Sequence, residues 1–127
     1  MTRMLIIGAG GFLGAIFRYY VSGWAQTLSH SFHFPYGTLT VNILGSFLLG
    51  FLMRYTFIHN TFSPEARLLI FIGFLGAFTT FSTFSTETLN LFIDGAPNLA
   101  LMNITANVLL GLAAVWLGQT LAFALGS

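Results

Sequence analysis

Gly73-Phe74-Leu75-Gly76-Ala77-Phe78-Thr79-Thr80-Phe81-Ser82-Thr83-Phe84-Ser85-Thr86-Glu87 lies inside an apolar run long enough to cross a bilayer, yet it is crowded with glycine, β-branched and hydroxyl residues. A plain lipid-facing helix has no use for that mixture. The stretch predicts a third helix broken near mid-membrane, since unwound backbone at that depth persists only where protein, a cavity or an ion satisfies its polar groups. Carbonyls freed there could hold a small cation. The alternative is an unbroken helix whose Ser and Thr hydroxyls bond back to the preceding turn. Phe78, Phe81 and Phe84 are spaced three apart and on one helix would form an aromatic stripe, usually a packing device. A ring also has a negative face and a positive edge, so edges aimed into a narrow path would stabilise an anion. Edges alternating with hydrogen-bond donors would suit a small, strongly hydrated halide.

The rest of the chain fits a membrane setting. Of 127 residues, 56% are hydrophobic and only 6% charged, far from the mix of a soluble domain. Four apolar stretches, at about 4–28, 36–57, 64–93 and 97–125, each reach the roughly 20 residues a spanning helix needs. They leave almost nothing over, which predicts an all-α membrane protein with one four-span domain over 1–127. Ser63-Pro64-Glu65 reads as the cap and first turn of the third span, and Asp94-Gly95-Ala96-Pro97 as the entry to the fourth. Connections this short make neighbouring spans antiparallel and put both termini on one side. The apolar start, Leu5-Ile6-Ile7 after Met1-Thr2-Arg3-Met4, reads as a retained first span because no clean cleavage site follows.

Charge is sparse. Arg3, Arg54 and Arg67 fall on the terminus side and Arg18 on the other, a bias weak enough to allow insertion in both orientations. The net charge of +1 and the scattered basic residues provide no electrostatic footprint for nucleic acid, and the absence of cysteine excludes disulfides and thiolate chemistry. Pairs of small residues (Gly10/Gly14, Ser46/Gly50, Gly73/Ala77, Ala114/Gly118) would let helices approach closely, either within one subunit or between two.

Polar groups at membrane depth are costly and therefore informative. Thr38 and Asn42 stand one turn apart in the second span, as do Asn103 and Asn107 in the fourth, with Gly111 a further turn along. Each pair could line a path or tie helices together. Arg18, late in the first span, could draw anions to a vestibule or anchor at the interface. Glu87 is the one carboxylate well inside a span and must be paired, protonated or hydrated. His30, His33 and His59 fall in or beside connections with no zinc-like spacing, which leaves no histidine at depth to activate a nucleophile and argues against an enzyme.

Several motifs together resemble the Fluc/CrcB family of fluoride channels over essentially the whole chain: Gly10 through Ala15 with Arg18-Tyr19, Gly37 through Asn42 with Gly45, and Gly73 through Glu87. The segment Thr79-Thr80-Phe81-Ser82-Thr83-Phe84-Ser85 is the most specific of them. The resemblance implies an antiparallel, dual-topology homodimer in membrane lipid, with two pores that pass fluoride passively and exclude chloride. By the same resemblance Phe81 and Phe84 supply ring edges, Asn42 donates to the ion, and Thr38, Thr83, Asn107, Glu87 and Arg18 belong to the fluoride pathway or its vestibule. Backbone carbonyls of Gly76 and Thr79 from both subunits would surround a structural sodium ion. The fourth span departs most from the family pattern: some relatives carry a track of tyrosine and serine hydroxyls where this chain has Asn103, Asn107 and Gly111. A bacterial inner membrane and a role in fluoride escape complete the expectation.

The competing reading is a proton-coupled exporter of the small multidrug type, with Glu87 as carrier carboxylate. That family keeps its acid in the first span, where this chain has Arg18 alone, and the Phe/Thr block has no purpose in a cavity for organic cations.

Overall fold

The computed structural model describes residues 1–126 as four antiparallel helical passes joined by short connections, with no strand among the described residues. The first pass is α1 (Thr2–Ser29) and the second α2 (Tyr36–His59). The third is composite: α3 (Pro64–Arg67), a π-helical segment (Leu68–Leu75), α4 (Gly76–Phe78) and α5 (Phe81–Ile93). The fourth is α6 (Pro97–Gly126). Each pass exceeds the expected span by no more than a few residues, because helices run on past the apolar core to their caps.

The ends follow local chemistry. Ser63 caps α3 by accepting the Ala66 N–H at 3.2 Å, with Pro64 at the first helical position where a missing N–H costs nothing. His30 and Asn60 close α1 and α2 in the left-handed conformation, at φ 51° and 48°. In the first connection the Gln26 side chain donates to the Ser31 and Phe34 carbonyls and accepts the Gly37 N–H, fixing the entry to α2.

Mean hydropathy of the four passes is 1.5 to 2.0, and most of each apolar window stays uncovered by the subunit itself. A helix apolar all round belongs in lipid or against another chain. Inside the subunit, close contact comes from small residues. A methyl group on Gly10 or Gly14 would collide with the Leu69 or Phe74 carbonyl of the third pass, and one on Gly50 or Gly118 with the Val115 or Phe47 carbonyl across the α2–α6 interface. The glycines of the small-residue pairs serve packing within the chain, one of the two uses left open by the sequence.

The π-helical segment went unforeseen. It contains Gly73, whose backbone lies against Ile7 and Gly10 of α1. Segments of this kind recur at functional sites. The aromatic stripe needs correction. Thr79 and Thr80 are extended, with φ/ψ of −86°/158° and −150°/120°, so Phe78 and Phe81 sit on different helices. Phe78 is buried and stacks on Phe74 at 5.9 Å, while Phe81 pairs with Phe84 at 5.6 Å.

Candidate functional site

The extended pair Thr79-Thr80 needs partners for the backbone groups it withdraws from the helix, and Asn42 of α2 supplies them. Asn42 Oδ1 accepts the Thr80 N–H at 2.9 Å while its Nδ2 donates to the Thr80 carbonyl at 3.1 Å. An unbroken helix would have sent that N–H to the carbonyl of Gly76, four residues back. Thr80 then caps α5: its hydroxyl oxygen accepts the Thr83 N–H at 3.3 Å and donates to Thr83 Oγ1 at 3.0 Å. Threonine is a favoured N-cap residue, which is the one sequence signal that points to this role for Thr80.

A cavity of about 330 Å³ opens beside this break, bordered by Asn42, Gly76, Thr79, Thr80, Phe81, Phe84 and Asn107. It brings together five of the expected residues besides Asn42. No charged side chain borders it among the described residues. The N-terminal end of α5 opens at the same place, where the positive end of the helix dipole favours negative charge. Phe81 is 79% exposed in the single subunit, so the cavity has no wall beyond it.

Two further cavities adjoin. The second, about 460 Å³, is bordered by Arg18, Ser22, Thr38, Thr80 and Thr83; it shares Thr80 with the first. The third, about 500 Å³, is bordered by Thr38, Glu87, Gln26, His33, Asn90 and Asp94, and shares Thr38 with the second. Thr38 donates its hydroxyl to Glu87 Oε1 at 2.7 Å, and Glu87 Oε2 is buried with no hydrogen-bond partner among the described residues. Every pathway residue expected from the sequence thus borders one of three cavities strung together through Thr80 and Thr38. His33 and Asp94, at the third, were not anticipated; nothing local in the sequence marks them.

Asn103 stands apart from the cavities. It is fully buried, and its Nδ2 donates to the hydroxyl of buried Thr88 at 2.9 Å. Asn107 donates to the Asn103 carbonyl and Oδ1, and accepts from Asn42 Nδ2 at 2.9 Å.

The profile of the CrcB-like protein, Camphor Resistance (CrcB) family matches residues 5–119. Among curated relatives, "Fluoride-specific ion channel FluC 3" of Methanosarcina barkeri (strain Fusaro / DSM 804) is 44% identical, covering 100% of this chain and 95% of that protein. "Fluoride-specific ion channel FluC 1" of Methanosarcina acetivorans is 48% identical with the same coverage. "Fluoride-specific ion channel FluC" of Sulfurovum sp. (strain NBC37-1) is 48% identical over 93% of this chain and 91% of its own length. With the match running through all four passes and through the Thr79-Thr80 segment, the chain belongs to the CrcB-like family.

Proposed function

We propose that this chain is one subunit of a fluoride-selective channel that lets the ion leave the cell passively, working as an antiparallel homodimer in the bacterial inner membrane. The observation that carries it is the neutral cavity at the Thr79-Thr80 break, where the Phe81–Phe84 pair, the Asn42 amide and the N-terminus of α5 meet with no charged group. Dipoles and ring edges attract an anion without holding it as a full positive charge would, and conduction needs an ion that can leave again. The relatives' shared name supplies the ion. From this cavity the path continues past Thr83, Arg18 and Thr38 to Glu87, in the order in which the cavities adjoin.

A second copy is what closes the site. Phe81 is largely exposed beside polar Thr79 and Asn42, and hydrocarbon is a poor wall for an ion path. The weak charge bias permits both insertions, and a subunit inserted both ways can meet its inverted copy. In this arrangement two equivalent pores form, and the break lies at membrane depth.

The residues at the break also fit the structural sodium ion that the family implies. Turning the Thr80 N–H to Asn42 deprives the Gly76 carbonyl of its helical donor, and Gly76 is exposed. Gly76 and Thr79 would offer two carbonyls per chain, the hard oxygen donors such a cation prefers, and an inverted copy would double them. The ion would tie the two breaks together through these carbonyls.

A proton-coupled exporter would need Glu87 at the substrate cavity. Glu87 instead borders the third cavity, with the Thr38 hydroxyl on one oxygen.

Expression in a strain stripped of its own fluoride exit tests the proposal. Growth in fluoride medium should be restored by this chain and not by its Phe81→Ile variant. No restoration by the native chain, at normal membrane levels, would sink it.

A further inference from the structure

The backbone at the two ends of the segment Thr80 to Phe84 is joined by one chain of side-chain hydrogen bonds running through three helices. Thr88 Oγ1 donates to the Phe84 carbonyl at 2.7 Å, and Asn103 Nδ2 donates to Thr88 Oγ1 at 2.9 Å. Asn107 Nδ2 donates to Asn103 Oδ1 at 2.9 Å and to the Asn103 carbonyl at 3.0 Å. Asn42 Nδ2 donates to Asn107 Oδ1 at 2.9 Å, and Asn42 Oδ1 accepts the Thr80 N–H at 2.9 Å.

The oxygen and nitrogen of an asparagine amide look alike and must be assigned from their partners. Here both ends of the chain are backbone groups of fixed character. The Phe84 carbonyl can only accept, so Thr88 donates to it and accepts a hydrogen bond from the Asn103 amide; Asn103 is left with its oxygen toward Asn107. The Thr80 N–H can only donate, so Asn42 must face it oxygen-first. Either end gives the same orientation for all three amides. Asn107 therefore spends its amide hydrogens on Asn103 and turns its oxygen to Asn42. Although it borders the cavity, it has no donor left for an anion. Asn103 and Thr88, at 0% and 7% exposure, are far too buried to find water instead, and a broken link there would leave an unsatisfied buried group.

We infer that Asn107 is a positioning residue: backed by Asn103 and Thr88, it holds the Asn42 amide with its oxygen on the Thr80 N–H and its hydrogens on the Thr80 carbonyl and Asn107, and so keeps the Thr79-Thr80 backbone extended beside the cavity. That an anion passes here rests on the channel proposal; the amide orientation does not. The fourth pass of this chain then acts on the path through the Asn42–Thr80 pairing, not by donating to the ion itself.

The test uses the full-length protein, with fluoride efflux measured from liposomes and the Asn42 side-chain amide followed by nitrogen-proton spectroscopy in lipid discs. Asn107→Leu should shift the Asn42 resonance and cut flux per folded channel on the order of tenfold, the scale of one hydrogen bond to a buried group. Thr88→Val, whose side chain borders none of the three cavities, should shift the same resonance and reduce flux by a smaller factor. It also guards against misfolding of the first variant. An Asn42 resonance unmoved by both changes would overturn the inference, as would a moved resonance with native flux. Should the native protein pass no fluoride at all, the channel proposal fails and the resonance alone still decides the amide orientation.

Discussion

Two phenylalanine pairs flank the break in the third pass, and they differ in everything except composition. Phe74 and Phe78 stack nearly parallel, 6° apart, and Phe78 is 4% exposed. Phe81 and Phe84 meet at 56°, and Phe81 is 79% exposed at the rim of the neutral cavity. The first pair has its surface spent on packing. The second keeps ring surface for whatever enters the cavity. What an aromatic residue does in this protein is decided by which side of Thr79-Thr80 it falls on, since the two extended residues turn one possible stripe into two separate environments.

The comparison extends to the backbone. On the Phe74–Phe78 side, Gly73 lies against Gly10 and leaves no room for a methyl group; on the other, hydroxyls cap α5 and border two cavities. One side fixes the third pass to α1, and the other presents chemistry.

Substitutions can break or sharpen this contrast. The largest effect is expected from Asn42→Asp, which puts a full negative charge into the neutral cavity. Like charges about 4 Å apart repel by about 4 kcal/mol at an intermediate dielectric, or roughly a thousandfold, so fluoride efflux should vanish. Normal efflux would move the path elsewhere. Next come Phe81→Ile and Phe84→Ile, which keep bulk and lose the ring edge. Edge interactions of about 0.5–1.5 kcal/mol predict a fall of about two- to tenfold per ring with assembly by size-exclusion chromatography unchanged; native flux would reject the role given to the second pair. Thr80→Ala removes the α5 cap, at a cost of about 1 kcal/mol, visible as a lower unfolding temperature and a several-fold loss of flux. The smallest effect belongs to Phe78→Leu. A modest large-to-small change in a packed site costs about 1–2 kcal/mol, so stability should fall while flux per folded channel stays within about twofold of native. A Phe78 variant as impaired in flux as Phe81→Ile would erase the difference between the pairs.

Much of the architecture was legible in the sequence because run length and turn chemistry are local. The four apolar stretches, the Ser63-Pro64 cap and the short connections each depend on residues adjacent in the chain, and they landed within a few residues of the observed ends. Thr38, Asn42, Glu87 and Arg18 stood out because polar groups are rare at membrane depth, and all four border the adjoining cavities. What could not be read depends on partners far along the chain. Asn42 and Thr80 pair across 38 positions, Asn42 and Asn107 across 65, and Thr38 and Glu87 across 49. Spacing placed Asn103 and Asn107 on one face as candidates for a lined path, but only their long-range partners reveal that Asn103 is buried against Thr88. The split of the phenylalanine stripe was missed for a related reason: a period of three presumes one regular helix, and the extended pair Thr79-Thr80 falls between Phe78 and Phe81.

The most direct test is fluoride release from liposomes holding the purified protein, read with a fluoride electrode, with chloride as the comparison ion and no proton gradient imposed. A passive fluoride channel releases fluoride rapidly and chloride negligibly under these conditions. Release that begins only when a proton gradient is applied would contradict the account and make Glu87, not the Phe81–Phe84 cavity, the first residue to examine.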